Sequence, residues 1–409
     1  VSEGKSLYLV KVEPNANNNK YYKMIAVGDS FEVQYGRIGN INYQSKTYPL
    51  SKWDSTLRSK LKKGYVDQTR LVAEPVVEKK ENPYLNIDIP EIEMIVEKLQ
   101  QMASKAIKDN YTISSSNVTE VMIKEAQVFL NDLNNIDKFN NSLEKFNDIL
   151  LELFKTIPRK MHKVKNCLAV TTDEFGVIIE REQDLLDVMK GQVSQHVMSK
   201  ATDKNNETTH TPKETILEAL GLEFKLVNDK DIEIIKDSLG NIKDRFHRAW
   251  KVVNVKTQKA FDGFVKDNKI KNTKLLWHGS RNENWWSIIG AGLVLRPNAV
   301  ITGKMFGYGI YYAPNPKKSL GYTSLQGSYW ARGSSSSAFM GLYDVAYGKA
   351  YDVHDFNSRY YDLNYEKLQK MSHGSNCLHA HADKGMLRND EIIIYKEEQC
   401  TIKYLVELK

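Results

Sequence analysis

Apolar and polar residues alternate along three short runs near the start of the chain, LYLVKV, YYKMIAV and FEVQYGR. In the third, Phe31, Val33 and Tyr35 share one face while Glu32 and Gln34 share the other, the period-two pattern of a half-buried strand. Turn residues separate the runs at Pro14 to Asn19 and at Gly28-Asp29. KWDSTLRSKLKKG then predicts a helix that stops at Gly64. From Asp88 onward the period lengthens. Pro90 suits a first helical turn, and Ile92, Ile95, Leu99 and Met102 mark one helix face. Phe139, Leu143, Phe146, Leu150, Leu153 and Ile157 follow in steps of four and three until Pro158 ends the helix. Stretches near 119–134 and 174–190 complete a helical bundle over residues 87–200.

Two segments carry no such period. Residues 73–86 hold two prolines and many charges, and residues 191–215 are polar throughout; both read as linkers or loops. Beyond residue 213 the pattern is mixed. KLLWHGS, GIYYA, FMGLYDVAYG, DEIIIY and KYLVEL read as strands, and 283–291 and 317–323 as single helices. Without a steady strand–helix alternation, this predicts an α+β domain built on antiparallel sheets rather than a doubly wound one. The expected fold class is thus α+β multidomain: a small β-rich module over 1–72, an all-α bundle, and a mixed domain over 213–409.

The length of 409 residues accommodates two or three cores, and 41% hydrophobic with 27% charged residues fits a globular chain. No apolar run is long enough to cross a bilayer. The opening VSEGKSLYLVKVEP lacks the order of a signal peptide. Cys167, Cys377 and Cys400 are scattered and odd in number, which argues for a reducing, intracellular setting. Charge is informative by position. Residues 1–70 carry 12 Lys/Arg against 6 Asp/Glu, almost all of the chain's net +7. A basic module on a near-neutral body points to a polyanion such as nucleic acid, the alternative being a solvated basic face.

Three local signals carry chemistry. In LLWHGSRNEN an apolar strand delivers His278, Gly279 and Ser280 into a loop; MFGYGIYYAPNPKKSLGYT leads through glycine turns to Tyr311 and Tyr322; in RNDEIIIY, Glu391 opens an apolar strand. Singly, each has a bland reading: a satisfied loop histidine, packed tyrosines, an exposed glutamate. His373, Cys377, His379 and His381 form a His/Cys cluster, but its spacing fits no standard zinc pattern, so no metal is expected.

Taken together, HGSR at 278–281, MFGYGIYYA at 305–313, KSLGY at 318–322 and NDE before IIIY resemble the catalytic domain of the poly(ADP-ribose) polymerases. The resemblance covers roughly residues 213–409, with 33 residues from His278 to Tyr311 and 80 from there to Glu391. It implies a His278–Tyr311–Glu391 triad that transfers ADP-ribose from NAD⁺, consumed as a substrate; no permanently bound cofactor is expected. Glu391 would stabilise an oxocarbenium-like ribose and orient the acceptor hydroxyl. His278 would hold an adenine-side ribose hydroxyl, and Tyr311 and Tyr322 would sandwich nicotinamide. The Gly279 backbone and Ser319 hydroxyl would hold the carboxamide, Ser280 and Asn284 would face adenosine, and Lys318 would steady Glu391 or an acceptor. Met305 keeps an acceptor-side position, whereas Asn389 replaces a tyrosine common just before the glutamate. Neither GxGxxG after a strand nor GxxxxGK[ST] occurs as a rival nucleotide motif.

Residues 1–72 are similar to a WGR domain through Tyr35-Gly36-Arg37, Gly39 and the basic helix with Lys60, Lys62 and Lys63; Tyr35 stands where the name-giving tryptophan does. This implies DNA-end contact through Tyr35 and Arg37. The helical segment, most clearly LLELFKTIPRKM, resembles the family's regulatory helical domain. Together these imply a DNA-dependent polymerase that modifies proteins including itself, in a nucleus if eukaryotic or a cytoplasm if bacterial. Single ADP-ribose transfer, an inert DNA-end scaffold and simple NAD⁺ hydrolysis are the alternatives.

Overall fold

The computed structural model describes residues 5–40, 42–69, 84–111, 118–135, 142–204, 214–295 and 305–409, the side chains of 194–204 excepted. Phe139 and most of the 73–86 segment lie outside these residues. Two compact units are distinguished, one formed by residues up to 79 with 104–196, the other by 80–103 with most of the remainder.

In the first unit, β1 (Ser6–Glu13), β2 (Asn18–Val27), β3 (Ser30–Arg37) and β4 (Gln44–Pro49) form an antiparallel meander, with β5 (Val66–Asp67) on the far side of β1. The alternation sets its core: Leu9, Tyr22, Met24, Phe31 and Val33 bury one face under Trp53 of α1 (Trp53–Lys62). Gly28, at φ +58°, makes the β2–β3 turn. Lys60 of α1 lies 3.7 Å over the Tyr22 ring, where burial lowers its pKa.

Helix α2 (Pro90–Asn110) buries Ile92, Ile95 and Leu99, with Met102 half-buried. Thr119 caps α3 (Glu120–Asn134) and Ser142 caps α4 (Leu143–Thr156), each accepting a backbone N–H. Phe146, Leu150, Leu153 and Ile157 are all buried, as their spacing requires. Phe146 stacks at 3.9 Å on Phe175, the first residue of α5 (Phe175–Lys204). This helix corrects one expectation: residues 191–204, read as loop, continue it to Lys204. Loss of apolar period does not stop a helix. After Gly191 no glycine or proline intervenes, and each further residue adds a backbone hydrogen bond at little cost.

The second unit contains α6 (Ile216–Ala219), β6 (Leu222–Leu226), α7 (Asp229–Leu239), β7 (Phe246–Asn254), α8 (Val255–Asp267), β8 (Lys274–Gly279), α9 (Trp285–Ala291), β9 (Ile310–Tyr312), α10 (Pro316–Leu320), β10 (Ala338–Val345), β11 (Ala350–Val353), α11 (Tyr365–Met371), β12 (Cys377–Ala380), β13 (Glu391–Ile394) and β14 (Cys400–Leu408). Five strands order as β6-β7-β14-β10-β8 and four as β11-β12-β13-β9. All pairs are antiparallel except β11 with β12. Helix α7 seats Ile235 and Leu239 against Trp277, Met340, Tyr404 and Val406 of the larger sheet. Reciprocal backbone bonds between Trp277 and Ala313, 3.2 and 3.1 Å, join the two sheets. Among the described residues no helix is long and apolar enough to cross a membrane.

Candidate active site

That joint between the sheets also positions the first pair of candidate residues. His278 follows Trp277 on β8, and Tyr311 lies on β9, paired with Ile393 of β13. His278 Nδ1 lies 3.1 Å from the Tyr311 carbonyl. A carbonyl only accepts, so in the neutral ring Nδ1 carries the proton and Nε2 is the accepting nitrogen. Tyr312 and Tyr343 pack edge-on against the imidazole. The Tyr311 hydroxyl donates to the Gly307 carbonyl and accepts from the Phe306 N–H, both at 3.0 Å. Burial pushes its pKa well above that of a free tyrosine. Tyr322, 40% exposed, is near enough to disfavour Tyr311 ionisation further.

Glu391 opens β13 opposite Ala380, is only 8% exposed, and forms an ion pair with the Lys318 ammonium. Burial pushes the Lys318 pKa down to about 8. Lys318 and Ser319 sit on α10, which Asn315 caps; the Asn315 amide also donates to Asn389, 2.7 Å away.

Ser319 is buried and its hydroxyl donates to the Trp277 carbonyl at 3.0 Å. This draws α10 onto the end of β8 so closely that a Cβ on Gly279 would lie 1.9 Å from the Ser319 carbonyl oxygen. Only glycine fits. Because backbone stands on both sides, Gly279→Ala must part β8 from α10, and we expect a loss of stability at or above about 3 kcal/mol, the upper end for overpacking. Thermal unfolding checks this; an unchanged Tm would disprove the close approach.

Asn284 donates to the Ser280 hydroxyl at 3.0 Å, while its buried Oδ1 has no hydrogen-bond partner among the described residues. A buried acceptor without a donor is a place where a ligand donor can arrive. Met305 is half-buried against the cluster around Phe306 and Ile393. Tyr35 and Arg37 belong to the first unit. Tyr35 packs 5.7 Å from the Tyr22 ring. The Arg37 guanidinium donates to the carbonyls of Asn17, Met161 and His162 and to the Asn17 side chain. A cavity of about 160 Å³ between α8, α9 and β14 is lined by Thr257, Ile289, Tyr343 and Cys400 and by none of the expected residues.

Sequence reasoning missed Trp330, which lies 6.0 Å from Tyr322 at 20°, and Asn282, whose side chain bonds Ser337 and Phe339 and braces the loop after β8. The Tyr329-Trp330 pair inside a polar Gly/Ser stretch was the available signal for the first. Asn282 offered none.

The family model of the poly(ADP-ribose) polymerase catalytic domain matches residues 229–409, and that of the WGR domain matches residues 5–71. Protein 101L of Invertebrate iridescent virus 6 is 34% identical over 209 residues, which is 50% of this chain and 85% of the viral protein. A poly(ADP-ribose) polymerase-like protein of the same virus, 100L, is 30% identical, covering 44% of this chain and 93% of its own length. Chicken (Gallus gallus) poly(ADP-ribose) polymerase 1 is 24% identical over 70% of this chain, but over only 30% of its own length. With a mixed α+β fold, both domain matches and two relatives covered almost end to end, the chain belongs to the poly(ADP-ribose) polymerase family and is an NAD⁺ ADP-ribosyltransferase.

Proposed function

We propose that the chain is a DNA-dependent poly(ADP-ribose) polymerase in which Glu391, His278 and Tyr311 form the catalytic group. The observation that carries the reading is a buried carboxylate at a strand start, paired with a half-buried lysine. When the nicotinamide–ribose bond of NAD⁺ breaks, its electron pair leaves with nicotinamide and the ribose carbon becomes cationic. The Glu391 carboxylate, paired with Lys318, stabilises that charge. It also accepts a hydrogen bond from the attacking acceptor hydroxyl, whose oxygen forms the new bond to the ribose carbon as its proton passes to the Glu391 carboxylate.

His278 offers an acceptor to a ribose hydroxyl, and Tyr311 with Tyr322 flanks the nicotinamide ring. The Gly279 backbone and Ser319 hydroxyl bind the carboxamide, and Ser280 with Asn284 faces adenosine; the unmatched Asn284 Oδ1 suits a ligand N–H or O–H. Met305 lines the acceptor side. NAD⁺ is consumed, and proteins, this chain included, are the acceptors.

DNA breaks are the proposed activator, bound through residues 1–72 by the basic excess and by Tyr35 and Arg37. One observation favours single transfer as a second reading: Asn389 replaces the acceptor-side tyrosine and is held by Asn315. Incubation with labelled NAD⁺, with and without nicked DNA, followed by a denaturing gel, tests all of this. The expected result is a DNA-dependent smear above the chain's own mass that fades as salt rises, because phosphate contacts release counterions. A discrete band would replace polymer with single transfer. Equal labelling without DNA would remove the DNA dependence.

A further inference from the structure

On one face of the smaller sheet, β11 and β12 set out a grid of side chains that can ligate a metal. The strands run parallel with Asp352 opposite His379. The register continues through the bond from the His381 N–H to the Val353 carbonyl, 2.8 Å, which brings His354 beside His381. Alternate residues of a strand share a face, so Asp-x-His on one strand meets His-x-His on the other. The rings of His379 and His381 stack at 3.9 Å, and those of His381 and His354 at 4.5 Å. One ligating atom from each of Asp352, His379 and His381 lies within 4.8 Å of the other two.

We propose that Asp352, His379 and His381 bind a divalent transition metal of the zinc class. Asp352 Oδ1 is 2.7 Å from His381 Nε2 and 4.0 Å from His379 Nδ1. These distances bracket the roughly 3.4 Å between two ligand atoms on a tetrahedral ion with bonds of about 2.1 Å. Two imidazoles with one carboxylate select a borderline ion over calcium or magnesium, which take oxygen ligands.

Outer support is in place as well. His379 Nε2 lies 3.0 Å from Asp390 Oδ2, so Nε2–H can donate there and leave the Nδ1 lone pair for the ion. The same aspartate is fixed by the Ala382 N–H at 2.9 Å. Binding exchanges the His381–Asp352 and His379–Tyr347 hydrogen bonds for metal bonds. Cys377 and His373, neighbours in sequence, are not ligands. The Cys377 thiol is buried and donates to the Tyr347 carbonyl, while His373 is exposed and outside the grid. This site does not depend on the roles proposed for Glu391 or DNA.

The test uses the full chain without an affinity tag, treated with chelator and titrated with cobalt(II). One equivalent should bind saturably with visible d–d absorption, and added zinc should bleach it. Asp352→Asn, at an exposed position where folding is not at risk, should weaken cobalt binding by about 10-fold or more. His381→Ala should abolish saturable binding with an unchanged circular dichroism spectrum, and His373→Ala should bind as the native chain does. If His381→Ala fails to fold, Asp352→Asn decides. The proposal is overturned by no saturable absorption in the native chain, by native-like binding in Asp352→Asn or a folded His381→Ala, or by loss in His373→Ala.

Discussion

A Glu391→Gln chain will release nicotinamide from NAD⁺ about 10² to 10³ times more slowly than the native chain, yet remain folded. Glutamine keeps the shape but not the charge, and a preorganised group facing developing charge is worth that much in rate. The fold survives because of Lys318. Half-buried and deprived of its counter-ion, this lysine would be costly if it stayed charged, but burial already pushes its pKa down to about 8. It can shed its proton and persist as a neutral amine. The loss should therefore appear in kcat with little change in KM or Tm. Release of labelled nicotinamide, with a thermal melt of the same sample, measures all three. An unchanged rate would remove Glu391 from the mechanism.

The second large effect comes from the opposite situation. Arg159 and Glu182 pair at 3.0 Å with side chains 8% and 2% exposed, and Tyr111 and Phe154 lie against the guanidinium. Arginine cannot neutralise itself by losing a proton. Glu182→Gln therefore strands a cation in the interior of the first unit. Breaking one side of such a pair costs about 3–5 kcal/mol. Arg181 also contacts Glu182, so its partner is lost too. Denaturant unfolding should show the midpoint of this unit falling sharply, whereas a shift under about 1 kcal/mol would mean that water or Asn110 already satisfies Arg159.

Why some features were legible in the sequence and others were not follows from their range. The stripe Phe146, Leu150, Leu153 and Ile157 repeats within one helix, so its burial could be read directly. The alternation of Phe31 and Val33 did the same for β3. Helix α5 ran past its apolar stripe because backbone hydrogen bonds, not pattern, carried it to Lys204. The ion pair Arg159–Glu182 joins residues 23 apart that no local period brings together, whereas the Lys318–Glu391 pair was anticipated only through the family resemblance, not through any pattern in the chain.

The same holds within the candidate site. Its motif residues stood out singly, but the contact that demands Gly279 is with a carbonyl 40 residues onward. The Asp352–His379–His381 group was only half legible for a related reason: spacing gathered His379 and His381 with His373 and Cys377, whereas the parallel register of β11 and β12 supplies Asp352 in place of the latter two.

The bond pair between Trp277 and Ala313 has a consequence for how this unit fails. His278 directly follows one partner, and Tyr311 lies two residues before the other. Any breathing that opens the seam separates imidazole and phenol in the same event. Inactivation by heat should therefore track loss of the sheet–sheet joint, because opening that one local unit displaces both residues together.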